Sequence, residues 1–252
     1  MIRKFLDQAS AVSLGVLRDF RDLLAPPVCV SCEDDLPEND DIFCDSCLES
    51  LRAKSLGRSP ICPFCGSHNI PNENCPRCNK PETRMRLYYW ASYADEVVSH
   101  ILGFKYHGVL ELGKRLTKEA LKKVGDQLRK NHYHFILPVP LHSRRLRKRD
   151  YNQSEIIAEI ISRELGVEQV PDSVLRVKST RPQAKIDNED KRWKNVQNAF
   201  SLSPENIIDF SGKRILIVDD IVTTGATIFE TARPIRERKP EFIDIFCLAY
   251  AG

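Results

Sequence analysis

Eight of the nine cysteines fall into four Cys-x-x-Cys pairs: Cys29/Cys32, Cys44/Cys47, Cys62/Cys65 and Cys75/Cys78. Each pair offers two thiolates to one tetrahedral ion, and two such knuckles complete a four-sulfur zinc site. Cysteines at this density also suit a disulfide framework, but that role belongs to secreted chains. The opening MIRKFLDQASAVSLGVLRDFRDLL does not read as a signal peptide, because Asp7 and polar positions interrupt any apolar core. Eleven residues separate Cys32 from Cys44 and nine separate Cys65 from Cys75, spans that suit short hairpins. Two successive zinc ribbons are therefore expected, Cys29–Cys47 and Cys62–Cys78; a cross-braced arrangement, with alternate pairs sharing an ion, satisfies the same spacing. His68 lies close to Cys65, but with eight thiolates present it reads as a loop residue. With every position on each ion filled, such sites are structural. The metal then supplies folding free energy that so short a segment does not gain from apolar burial.

The rest of the chain is long enough for a core of its own. At 42% hydrophobic and 29% charged residues, the 252-residue chain has the balance of a globular protein, not a disordered one. No apolar run approaches the roughly 20 residues that span a bilayer. Phe5, Leu6, Ala9, Val12, Val16, Leu17, Phe20, Leu23 and Leu24 recur at helical spacing, which predicts an amphipathic helix at the start. Its polar face mixes Asp with Arg, so packing on protein is expected over binding to a membrane surface. The expected location is cytoplasmic, with peripheral association at the inner face of the membrane as a further option. Residues 1–80 carry a net charge of −3 and residues 81–252 one of +6, so contacts with polyanions are expected on the second part. Cys247, in a late apolar run, reads as a buried core thiol.

From residue 81 the pattern alternates. LYYWASYA (87–94), HFILPVP (134–140), a short stretch near Val174, RILIVDD (from 214) and FIDIFCLAY (242–250) read as strands. DEVVSHILGFKYHG with its continuation to Asn131, NQSEIIAEIISRELG (152–166) and the segment through Arg238 read as helices. Short, continuously apolar strands separated by helices predict an α/β fold with a mostly parallel sheet covered on both faces. Ligands then bind beyond the carboxyl ends of the strands. Two turns lie there: PVPLHSRR, and DDIVTTGAT after the strand ending near Val218.

DDIVTTGAT sets two carboxylates, Asp219 and Asp220, beside a helix start at which Thr is expected as the capping residue and Gly225 allows close approach. A helix N-terminus with hydroxyls around it suits a phosphate, yet adjacent carboxylates repel one. A ligand with a phosphate at one end and a vicinal diol at the other resolves the conflict, because carboxylates accept from a diol directly or through Mg²⁺. Ribose 5-phosphate is such a ligand. A P-loop needs a Lys that is absent here, and a dinucleotide fingerprint needs GxGxxG. A phosphoacceptor receiver domain needs several more βα units than the 32 residues after Asp220 can supply.

LIVDDIVTTGAT resembles the 5-phosphoribosyl-1-pyrophosphate (PRPP) signature of type I phosphoribosyltransferases. Together with the cysteine pairs and PVPLHSRRLRKRDYNQSE, the chain resembles the ComF family, named for bacterial competence and DNA uptake, over roughly residues 26–252. The expected organisation is the amphipathic helix over 1–25, a double zinc-ribbon module over 26–82 and, as the resemblance implies, a type I phosphoribosyltransferase-like domain over 83–252. It implies that Asp219 and Asp220 hold the ribose hydroxyls and that Thr223, Thr224, Gly225, Ala226 and Thr227 cradle the 5-phosphate. Pro140, Leu141, His142, Arg144 and Arg145 would form the pyrophosphate loop. Arg181, Gln183, Lys185, Arg192 and Asn195 would belong to a flexible loop that closes over the site. The implied cofactors are structural Zn²⁺, two ions, and Mg²⁺ with PRPP. The family shows Pro where this chain has Ser143, and Gly-Phe where it has Asp150-Tyr151. The first difference is expected to loosen the pyrophosphate turn, and the second sets a carboxylate beside a basic patch.

The implied chemistry is transfer of a phosphoribosyl group to an unidentified acceptor, with pyrophosphate leaving from C1. No residue announces itself as a general base; His142 lies in the right turn. Arg144, Arg145, Arg147, Lys148 and Arg149 crowd five cations into six positions, suited to pyrophosphate or to a nucleic-acid backbone. Lys105 reads as a helix-end residue, Tyr89 and Trp90 as core, and Trp193 as the candidate for stacking on a base. The alternative to an enzyme is a binding protein that keeps the PRPP fold for nucleotide or single-stranded DNA. It would work in DNA uptake beside a DNA-translocating ATPase.

Overall fold

The computed structural model describes residues 27–36, 41–55, 60–63, 66–67, 85–93, 97–107, 110–181, 186 and 188–251. The helix expected over 1–25, together with His68, Cys65, Cys75, Cys78, Gln183 and Lys185, lies outside these residues. The chain divides into two compact units, residues 1–52 and 53–252. In the first, an isolated antiparallel bridge joins Val28 to Asp35, and helix α1 (Asp45–Lys54) follows, with Leu48 and Leu51 buried.

The second unit is built on a five-stranded sheet of order β1-β7-β6-β2-β3, every pairing in it parallel. The strands are β1 (Met85–Ser92), β2 (Phe135–Pro138), β3 (Glu168–Gln169), β6 (Arg214–Val222) and β7 (Phe242–Tyr250). Alternation along each strand divides the buried side chains between two faces. Leu87, Leu137, Ile215, Ile217, Ile243 and Ile245 join one core cluster with Ile228, Ala232 and Ile235 of helix α7 (Ala226–Arg236). Their strand neighbours Trp90, Ile136, Leu216, Val218 and Phe246 are equally buried. Helix α3 (Leu110–Lys130) packs on β1 and β7, and helix α5 (Gln153–Leu165) packs on α3, β2 and β6. Apolar cover on both faces is why these strands read as unbroken hydrophobic runs.

The remaining elements are helix α2 (Val97–His107), helix α4 (Ser143–Arg149), helix α6 (Glu189–Val196), and the antiparallel pair β4 (Val174–Arg176) and β5 (Phe200–Leu202). Two of them correct the sequence reading. PVPLHSRR does not remain a turn: α4 begins at Ser143. The polar stretch after residue 180 is not loop throughout, because Asn188 caps α6 by accepting from the Lys191 amide.

The two differences from the ComF pattern find physical places. Ser143 is the first residue of α4, where proline is well tolerated because that amide lacks an intrahelical partner. Asp150 ends α4 in the left-handed region at φ +63°, a conformation glycine adopts without strain. The Tyr151 hydroxyl donates to the Phe104 carbonyl at 2.5 Å, a bond that phenylalanine lacks, and ties the α4–α5 corner to α2.

The end of the sheet remote from the carboxyl termini is held by an ion pair between the half-buried Arg86 and the buried Asp244. Arg86 donates to Asp244 through Nε at 3.0 Å and Nη2 at 2.6 Å, and the Tyr133 hydroxyl adds a third donor at 2.7 Å. Burial pushes the Asp244 carboxyl above its ordinary range, and the Arg86 guanidinium opposes that shift. Removing Asp244 takes the counter-charge from the half-buried Arg86 and the acceptor from Tyr133. Asp244→Ala is expected to destabilise the second unit by about 3–5 kcal/mol in denaturant unfolding.

Candidate functional site

Strand β2 runs outward through α5 to β3, whereas β6 runs the other way through α7 to β7. The connections therefore diverge between β2 and β6, and a crevice opens at their carboxyl ends. Pairing of β2 with β6 ends at Pro138↔Val218, while β6 continues to Val222. Asp219 and Asp220 thus lie inside the strand and not in a turn after Val218. A cavity of about 340 Å³ occupies this place.

Asp219 and Asp220 both line the cavity. Asp219 Oδ1 accepts from Ser154 Oγ and from the Asp220 amide, each at 2.9 Å, and Asp220 Oδ1 accepts from the Ile221 amide at 2.7 Å. The two amide bonds come from the next residue along β6, whereas the Ser154 bond reaches across from α5. Beneath them, Cys247 pairs in register with Asp219, and burial drives its thiol well above the ordinary range. Thr223, Thr224, Gly225, Ala226 and Thr227 continue the cavity wall. The expected Thr cap is absent: Gly225 itself is the N-cap of α7, at φ +74°, and no side chain caps the helix. A Cβ at Gly225 would sit 3.3 Å from the Pro63 carbonyl oxygen, so both conformation and space call for glycine. Pro63 is held there by Ile61, whose amide and carbonyl both bond Leu87 of β1.

Facing the acids is a wall of arginines. Arg145 and Arg149, one turn apart on α4, line the cavity with Arg176 and Arg192. Arg176 was missed in sequence. It ends β4 on the same inward side as Val174, and its guanidinium lies 5.1 Å from the Phe200 ring centroid. Burial, with Arg145 nearby, lowers its pKa to about 10. It remains charged at neutral pH, and a desolvated cation beside a second one is a strong attractor for an anion. The two arginines share Thr180: Arg145 donates to its carbonyl and Arg176 to its hydroxyl, both at 2.5 Å. An arginine at an inward position of a strand was the available signal.

Other expected residues take separate places. Leu141 lines the cavity; Pro140, His142 and Arg144 are not part of its wall. Arg144 is exposed, and its amide donates to His142 Nδ1 at 3.2 Å, capping α4. Arg192 reaches the cavity, whereas Asn195 clasps the backbone of Arg181 through both its amide atoms. Trp193 packs edge-on against Phe229, with ring centroids 5.5 Å apart. Two buried polar residues that were not singled out, Gln153 and Ser154, also line the cavity.

In the first unit Cys29, Cys32, Cys44 and Cys47 come together, their sulfurs all within 4.8 Å of one another. This is the sequential pairing, not the cross-braced one, for these two knuckles. The Cys32–Cys44 sulfur separation of 3.7 Å matches the edge of a tetrahedron with zinc–sulfur bonds of about 2.3 Å. The amides of Ser31 and Cys44 both point at Cys29 Sγ, at 3.4 Å, as donors that stabilise a thiolate. The four thiols therefore fit one zinc ion. In the second unit Cys62 is buried within a tight turn, its amide bonded to Ser67 and its carbonyl to Gly66.

Two outcomes are expected. Cys44→Ser should lower zinc content by one equivalent, measured by a colorimetric chelator on denatured protein. His142 is held below its ordinary pKa by burial and then by Arg144, Arg176, Arg145 and Arg147. Its neutral ring supports the α4 cap above the ordinary histidine pKa, and that support is lost as pH falls through the depressed folded value. Pyrophosphate placed among these arginines should raise the His142 pKa in an NMR titration; an unmoved pKa would show that the anion sits elsewhere.

The phosphoribosyl transferase domain matches residues 152–252, which include Ser154, the acidic pair and the Thr223–Thr227 turn. Competence protein F of Haemophilus influenzae is 28% identical over 228 residues, covering 88% of this chain and 96% of that protein. DNA utilization protein YhgH of Escherichia coli K12 is 29% identical over 235 residues, covering 90% and 98%. Competence protein ComFC of Bacillus subtilis is 27% identical over 214 residues, covering 79% and 80%. With its parallel sheet, a matched phosphoribosyl transferase domain and an N-terminal cysteine cluster, the chain is similar over most of its length to these competence and DNA utilization proteins.

Proposed function

We propose that the chain binds PRPP or ribose 5-phosphate with Mg²⁺ and transfers the phosphoribosyl group to an acceptor during DNA uptake. The observation that carries this reading is the arrangement of one cavity: two carboxylates beside a glycine-turned helix start, faced by four arginines. The Thr223–Thr227 turn and the first amides of α7 take the 5-phosphate. Asp219 and Asp220 accept from the ribose hydroxyls. Arg145, Arg149, Arg176 and Arg192 hold the pyrophosphate and stabilise the charge it gains as the C1–oxygen bond breaks. The acceptor's lone pair forms the new bond to C1, and pyrophosphate leaves with the bonding electrons. Mg²⁺, which the two hard carboxylates suit, neutralises charge on the leaving group when bound. The names of the relatives support the link to competence and DNA handling.

A second reading rests on the other side of α4. Arg144, Arg147 and Lys148 are exposed and form no ion pair with the described residues. A single-stranded DNA backbone suits that face, with steep dependence on salt. In this reading the protein is a binder that retains the PRPP fold and works beside a DNA-translocating ATPase.

Calorimetric titration with PRPP, with and without Mg²⁺, tests the first reading. Mg²⁺-dependent binding is expected for the wild type and its loss for Asp219→Ala/Asp220→Ala; a wild type that binds no PRPP sinks it. Pyrophosphate release in the presence of candidate acceptors then separates an enzyme from a binder.

A further inference from the structure

Asn152, Gln153 and Ser154 are three consecutive polar residues at the start of α5, and they are only 7%, 2% and 4% exposed. Burying three polar side chains in a row is costly unless each is bonded. Each of these is bonded, and to a different part of the site. Asn152 Nδ2 donates to the Val139 carbonyl at 3.1 Å, just past the end of β2, while its oxygen caps α5 by accepting from the Ser154 amide at 3.2 Å. Gln153 Oε1 accepts from Arg149 Nη1 at 3.3 Å. Ser154 Oγ donates to Asp219 Oδ1 at 2.9 Å.

We infer that this run positions the site, fixing the distance between its cationic and acidic walls. Helix α5 is packed against both β2 and β6, so its first turn spans the gap that the two strands leave. Ser154 is the positioning residue for Asp219. With the Asp220 amide it fixes one carboxylate oxygen and so sets the direction of the other. Gln153 is the positioning residue for Arg149, steadying a long side chain that α4 alone would leave mobile. The inference rests on the reading of the cavity as a ribose-phosphate site, because it assigns the diol to the acidic wall and the anions to the rest.

The two walls predict separable effects. Titration calorimetry on the full zinc-loaded chain would compare ribose 5-phosphate with Mg²⁺ against inorganic phosphate and pyrophosphate. Ser154→Ala should weaken ribose 5-phosphate about tenfold, as losses behind a ligating group do, and leave inorganic phosphate unchanged. Gln153→Ala should do the reverse, weakening pyrophosphate and sparing ribose 5-phosphate. Unchanged ribose 5-phosphate affinity in Ser154→Ala overturns the inference. So does an equal loss for all three ligands accompanied by a lower melting temperature, which marks a structural role. A wild type that binds phosphate but gains nothing from the ribose overturns the ribose-phosphate reading, and the inference with it.

Discussion

Pairing between β2 and β6 stops at Pro138, and the geometry of the cavity follows from that stop. The Val139 amide still donates to the Val218 carbonyl at 2.9 Å, and beyond that bond the chain leaves β6 for the turn into α4. The neighbour on the other side, β7, stays paired with β6 up to Tyr250. One edge of β6 is therefore held in the sheet while the other faces a gap, and the two acids lie where this asymmetry begins. The chain released from β2 turns at once into α4, which delivers Arg145 and Arg149 across that gap. One strand ending thus sets the acidic wall and the part of the cationic wall that α4 carries.

Much of the fold was legible because burial on both faces leaves a simple trace. FIDIFCLAY was read as a strand over 242–250 and is β7, and NQSEIIAEIISRELG is α5 with Asn152 and Gly166 as its caps. What sequence missed were short elements whose residues carry no apolar period. SRRLRKR forms α4 with no buried residue, held instead by its caps at His142 and Asp150. The EDKRWKNV helix likewise lies within a polar stretch. The extent of β6 was also understated, because acidic residues conventionally mark the end of a strand.

For the site, local motif and long-range placement parted company. Asp219, Asp220 and the Thr223–Thr227 turn are contiguous, and the sequence brings them together without help from the fold. Arg176, Arg192, Gln153 and Ser154 come from three other segments, and only the topology unites them. The basic run shows the same limit. Its five cations look alike in sequence, yet helical spacing turns Arg145 and Arg149 inward and leaves Arg144, Arg147 and Lys148 exposed.

The place of β7 has a consequence for how the second unit forms. This strand comes late in the chain yet lies between β1 and β6, joining Met85 to Ile243 and Arg214 to Phe242. Until it is synthesised, β1 has no parallel neighbour and its sequence-distant pairing cannot begin. Contacts that span so much of the chain close slowly. Until β7 is made, β1 therefore stays an unpaired apolar strand, the kind of surface that chaperones cover.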